Sequence, residues 1–135
     1  MPWALTLRLV TEPQVLRIVR KAVSSAAVAE GASAADAFDV EVAVGEALAN
    51  AHLHAYGGTG GPIKIQMEFD GLRLITTLSD RGEPVTEQPA VPQTLPAEGH
   101  GRGLYLVGQL MEEVEVVPSK SRRRGIAIRM VKLLR

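Results

Sequence analysis

VEVAVGEALANAHLHAY, residues 40–56 of the chain, sets Glu46, Asn50 and His54 four residues apart among Val, Ala and Leu. Helical spacing stacks these three polar groups on one side, each about a turn above the last. A rod that is apolar nearly all round belongs in an interior, where a carboxylate and an amide must meet a hydrogen-bond partner, an ion or a ligand. The same Glu-x-x-x-Asn spacing is common on solvated helices, where i,i+4 pairs add support. Here, however, Ala and Val stand where a solvated face would carry Lys, Arg and Glu. Something polar is expected over the line, and a second element must say what it is.

Ser33 with Asp36 gives this helix a capping signature, and GGTGGP at 57–62 ends it and reads as a mobile connector. Upstream, Trp3 to Val10 alternates, with Leu5, Leu7 and Leu9 on one side, as a half-buried strand does. Thr11 with Gln14 looks like a capping box, and Pro13 suits a first turn, so a helix is expected from about Glu12 to Glu30, stopped by Gly31. Its core stripe would be Val15, Ile18, Val19, Ala22, Val23, Ala26 and Ala27, leaving Arg17, Arg20 and Lys21 outside. Downstream, Ile63, Ile65, Met67 and Phe69 alternate with polar residues, and a second alternating run, Leu72 to Ser79, follows Asp70-Gly71. That pattern predicts a hairpin about a tight Asp-Gly turn.

Asp80-Arg81-Gly82 comes next. A carboxylate at a strand end can accept from a ligand amine while the glycine lets backbone approach closely, although an ordinary turn has the same letters. Val85 to Glu98 contains Pro89, Pro92 and Pro96 and has no period, the mark of a lid or a disordered loop. It leads into Gly99-His100-Gly101-Arg102-Gly103-Leu104, and Leu104, Val107, Gly108 and Met111 continue as a helix. Glycines opening a helix expose N–H groups and the positive end of its dipole to an anion. The letters match neither a Walker loop nor a dinucleotide fingerprint. Glu113 to Val117 and Gly125 to Leu134 read as strands about a basic turn, Pro118 to Arg124. That turn lacks interleaved aromatics and is expected to be a solvated loop.

Composition narrows the classes. The 135 residues are of single-domain size, 46% hydrophobic and 22% charged, with fifteen basic residues against fifteen acidic ones. A balanced charge gathers neither nucleic acid nor anionic lipid, so no direct nucleic-acid or membrane partner is expected. The absence of cysteine excludes thiol catalysis and disulfides, and no apolar run reaches the ~20 residues of a membrane span. The expected location is the cytoplasm. Zinc held by His52, His54 and His100 is a poor reading, because His52 and His54 face different ways on a helix.

Three signals in fixed order now carry a resemblance: Gly45-Glu46-Ala47-Leu48-Ala49-Asn50-Ala51 with His54-Ala55-Tyr56, then Asp80-Arg81-Gly82, then Gly101-Arg102-Gly103-Leu104-Tyr105-Leu106 with Leu110-Met111-Glu112-Glu113-Val114. Over essentially the whole chain the sequence resembles the histidine-kinase-type (GHKL) ATPase superfamily, and within it the small anti-sigma-factor serine kinases of bacteria. The resemblance implies an α+β fold, a two-layer sandwich of a mixed, mainly antiparallel sheet of about five strands and three helices (the Bergerat fold), as one domain over residues 1–135. It implies ATP and Mg²⁺ as cofactors, with the metal on Asn50. Glu46 would orient and deprotonate a serine hydroxyl, and Asp80 would accept from the adenine amine with Gly82 beside the base. Gly101, Gly103 and Leu104 would present N–H groups to phosphates, with Arg102 and His54 also among the nucleotide-binding residues, under a Pro-rich lid. Arg20 falls where the family places an exposed arginine that contacts both sigma factor and antagonist. The implied partners are a sigma factor, an anti-anti-sigma antagonist and a second copy in a homodimer.

Two departures are visible. Pro84 stands where relatives often have glycine, and Gly125-Ile126-Ala127 lacks the hydroxyls of a Gly-Thr-Thr opening. These departures motivate the alternative of a weakly ATP-binding or non-catalytic partner-switch module; a further alternative is an activating switch kinase of a stress-signalling complex, since the same ATP site serves both.

Overall fold

The computed structural model describes residues 2–82, 90–97, 101–118 and 125–134. Its elements run β1 (Trp3–Val10), α1 (Pro13–Ala29), α2 (Ala34–Asn50), β2 (Pro62–Phe69), β3 (Arg73–Asp80), α3 (Arg102–Leu110), β4 (Glu113–Pro118) and β5 (Ile126–Leu133). The sheet order is β1-β2-β3-β5-β4, and all four pairings are antiparallel. The sheet expected as mixed, mainly antiparallel thus has no parallel pair among the described residues.

Strand alternation decides which face is covered. Ile65 and Met67 of β2, Leu74 and Leu78 of β3, and Ile128 and Met130 of β5 form one core with Val19 and Val23 of α1 and Val40, Val44 and Leu48 of α2. Burying an aliphatic side chain contributes about 1.5–3 kcal/mol, whereas a valine's weaker helix propensity costs only on the order of 0.5 kcal/mol. Packing therefore wins, and α2 stays helical through Val40, Val42 and Val44.

Several local expectations change in the fold. Ser33 caps α2 as expected, its hydroxyl accepting from Asp36 N–H at 3.0 Å. Thr11 does not cap α1: Glu12 is the N-cap, without a side-chain bond. The Thr11 hydroxyl instead accepts from Gly61 N–H at 3.0 Å and bonds His52 Nδ1 at 3.0 Å, a long-range use that overrides the local one. The glycine connector is correspondingly pinned rather than loose, since Thr11 N–H also donates to Gly61 O at 2.9 Å.

In α1 the covered stripe is narrower than expected. Val19, Val23 and Ala27 are buried, whereas Ile18 is 61% exposed and Ala22 is also exposed. Arg20 is half-buried rather than fully outside, its Cδ lying 2.6 Å from where a Cβ on Gly45 would be. The β2–β3 turn also moves by one residue: Asp70 N–H donates to Arg73 O at 3.2 Å, leaving Gly71 (φ 97°) and Leu72 as the loop.

Candidate functional site

The polar line of the central helix survives by a change of helix type. α2 ends at Asn50, and Ala51–Ala55 continues as a π-helical turn. In an α-helix every fourth residue runs ahead by about 40°, so a long polar line would drift off its face; a wider turn takes up that drift. Asn50 and His54 consequently border the same cavity, of about 160 Å³, with Ala55, Asp80 and Gly82. Asn50 is half-buried and His54 exposed.

Asp80 closes the opposite wall. It ends β3 at 3% exposure, and its Oδ1 accepts from Gly82 N–H at 3.0 Å and Ile126 N–H at 3.2 Å. Burial raises the carboxyl above its ordinary range, while those two N–H groups pull it back. The carboxylate lines the cavity and is an acceptor placed for whatever enters. The walls are close because side chains are missing where backbones meet. A Cβ on Gly82 would lie 2.7 Å from Ala55 Cβ and 2.9 Å from its carbonyl oxygen, and one on Gly125 would overlap the Asp80 backbone and Oδ1.

One turn before Asn50, the half-buried Glu46 faces α3: a Cβ on Gly103 would sit 2.7 Å from Glu46 Oε2. Gly101 is the N-cap of α3 with φ 97°, a conformation that glycine adopts freely. The first ladder bond is Tyr105 N–H to Gly101 O at 2.9 Å, so the N–H groups of Arg102, Gly103 and Leu104 precede the ladder, and the N-cap Gly101 has no side chain to satisfy them. Such an end attracts anions. The Arg102 side chain is exposed.

Thus Asn50, His54, Asp80 and Gly82 come together at one cavity. Glu46 and Gly103 meet one turn along the same helix, and Arg20 crosses α2 at Gly45 instead of reaching the cavity. Gly125 and Ile126 also line the cavity, a role the sequence reading missed. That reading weighed the side chains of the last strand, whereas the contribution here is a main-chain N–H. Pro84, Gly99, His100 and the basic turn beyond Pro118 lie outside the described residues.

A larger groove of about 730 Å³ includes Arg8, Lys64, Gln66, Thr77 and Ser79, which lie on the sheet face away from the helices. The smaller cavity is the better candidate, because buried Asp80 and the glycine-thinned walls converge there. At about 160 Å³ it falls below the ~300 Å³ at which whole-ligand pockets usually begin, so it can hold only part of a drug-sized ligand.

A five-stranded antiparallel sheet with three helices on one face and a glycine-capped third helix fit the sandwich of the histidine-kinase-type ATPases. Residues 9–132 match the family model for the histidine kinase-like ATPase domain. The chain belongs to that family and, within it, to the RsbW group of serine-protein kinases. It is similar to serine-protein kinase RsbW of Bacillus velezensis at 31% identity, covering 95% of this chain and 84% of the relative. RsbW of Staphylococcus epidermidis is 29% identical over 96% of this chain and 86% of its own length. The anti-sigma F factor of Pasteuria penetrans is 27% identical over 71% of this chain and 67% of its own.

Proposed function

We propose that the chain acts in the cytoplasm as an ATP-dependent anti-sigma factor, one ATPase domain that binds a sigma factor and phosphorylates a serine on an anti-anti-sigma protein. Transcription would then be controlled by exchange of partners. The observation that carries this reading is the placement of one helix, α2 with its π turn, between two complementary half-sites. Asn50 and His54 border the cavity that Asp80 closes, and Glu46 meets Gly103 at the open start of α3.

The adenine amine donates to Asp80, Gly82 backs the base, and the phosphates reach the N–H groups at the start of α3, where Gly101, Gly103 and Leu104 lie. Asn50 stands between the two, and its half-buried amide is a hard oxygen donor that suits Mg²⁺, an ion that keeps waters and phosphate oxygens as its other ligands. When bound, that ion supplies charge neutralisation across the phosphates. Glu46 accepts the proton of the attacking serine hydroxyl as its oxygen bonds the γ-phosphorus. The bond from that phosphorus to the β–γ bridging oxygen breaks, and ADP leaves.

Arg20, braced along α2, contacts sigma factor and antagonist, and the working unit is a homodimer; both parts follow from the family resemblance. The test is transfer of labelled phosphate from ATP to a serine of the cognate antagonist. Glu46→Gln lowers the rate by about 10²–10⁴-fold, the usual scale of general-base catalysis, while nucleotide still binds. Transfer at an undiminished rate would remove Glu46 from the mechanism.

A second reading, a partner-exchange module with weak or no ATP binding, draws on the missing hydroxyls at Ile126 and Ala127. It predicts no thermal stabilisation at saturating Mg-ATP, whereas the kinase reading predicts a clear rise in Tm.

A further inference from the structure

Tyr56 belongs to the motif that follows the polar line, yet the proposed chemistry gives it nothing to do. Its hydroxyl donates to Pro62 O at 2.5 Å and accepts from Arg81 N–H at 2.7 Å. Those two groups occupy a definite place in the sheet. The β2–β3 ladder ends with Ile63 opposite Asp80, so Pro62 and Arg81 would form the next rung. Proline has no N–H with which to continue the ladder, and the phenol bridges the gap. The ring lies over Gly61, where any Cβ would overlap it, and the Tyr56 carbonyl accepts from Thr59 N–H at 3.1 Å and Thr59 Oγ1 at 2.8 Å. A phenol is protonated at neutral pH, and burial pushes this one further above its ordinary value, so the donor is retained.

We propose that Tyr56 is a positioning residue for base recognition, fixing the Asp80-Arg81-Gly82 turn at its set distance from the π turn. The inference rests on the nucleotide reading above, which places the base against Asp80. Arg81 is the residue between the acceptor, Asp80, and the close-contact glycine, Gly82. Holding its N–H therefore holds both neighbours, while the chain from Tyr56 back to Ala55 carries the wall that Gly82 touches. A bond at this point sets the width of the slot and the direction of the Asp80 carboxylate. Adenine offers an amine to that carboxylate and guanine a carbonyl, so a well-held Asp80 discriminates between them, and a loosened one does so less.

The experiment measures binding of Mg-ATP and Mg-GTP to the intact chain by calorimetry, together with the thermal midpoint of the unliganded protein. In Tyr56→Phe the Kd for ATP rises about five- to tenfold, the scale of one lost hydrogen bond. The Kd for GTP stays within a factor of two, and the ATP preference falls accordingly. Gly61→Ala keeps the hydroxyl but displaces the ring, and shows the same selective loss. Unchanged ATP binding in both variants would overturn the proposal. So would a loss shared equally by ATP and GTP with a lowered midpoint, which marks a general structural role. If the unaltered chain binds neither nucleotide, the nucleotide reading itself falls, an outcome distinct from failure of the Tyr56 assignment alone.

Discussion

The two ends of α2 carry polar clusters that look alike by composition and differ in what they leave open. At the N-terminal end, Lys132 of β5, 6% exposed, reaches Asp39 at 3.2 Å, Asp36 at 3.9 Å and the carbonyl of Leu110 at 2.6 Å. Its ammonium donates to Asp39 and to the Leu110 carbonyl, with Asp36 as a longer ion pair, and so ties β5, α2 and the end of α3 together. At the C-terminal end, Asp80 takes two N–H groups on one oxygen and lines a cavity, with Asn50 and His54 also on its wall. A buried polar group paired with protein groups away from any cavity is structural, whereas one that borders a cavity is a candidate site.

This contrast breaks most visibly at Asp80. Asp80→Asn should weaken ATP binding by about a hundredfold, the scale of a charge-assisted hydrogen bond. Stability should be unchanged or raised, because the amide carries no buried charge. Calorimetry with nucleotide beside thermal melts of the free protein checks both halves; a variant that loses stability and keeps ATP would make Asp80 a structural residue.

Lys132→Met should do the reverse. It removes a buried cation whose carboxylate partners are partly exposed, so urea unfolding should show a loss of about 2 kcal/mol, below the range for fully buried pairs, with ATP affinity unaltered.

Thr76 supplies a third case. It is fully buried on β3, and its Oγ1 has no hydrogen-bond partner among the described residues. Thr76→Val should therefore stabilise the fold by about 1 kcal/mol in the same unfolding assay, with no change in binding.

The smallest effect concerns pH. A carboxyl raised by folding holds its proton more tightly in the native state than in the unfolded chain. Asp80 thus lowers stability above its folded pKa, and the penalty is relieved as pH falls toward its ordinary value of 3.8. Other carboxylates cancel in the difference between the unaltered chain and Asp80→Asn. That difference should shrink as the solution is acidified; one that grows would reverse the sign of the shift.

Much of this was legible in residue order, for reasons that differ by element. The hairpin declared itself because β2 and β3 are each buried on one face, which forces a period of two; α2 did so because apolar residues surround a four-residue polar spacing. The capped start at Ser33 is local chemistry and was readable as such. What stayed hidden depends on long-range pairing. Thr11 serves Gly61 and His52, fifty and forty-one residues away, and its local capping pattern pointed elsewhere. The place of β5 between β3 and β4, which brings Ile126 N–H to Asp80, leaves no mark on the letters around Ile126. Nor does the π turn, without which the polar line would have swung away from the cavity.

The central claim is that nucleotide bridges the cavity behind Asp80 and the open start of α3, and amide chemical shifts recorded during a Mg-ATP titration test it most directly. The account predicts that Gly82, Ile126, Gly103 and Leu104 move together on one binding curve while the amides around Lys132 stay still. Shifts confined to the opposite sheet face, at Arg8, Lys64 and Ser79, with Gly82 and Gly103 unmoved, would contradict it.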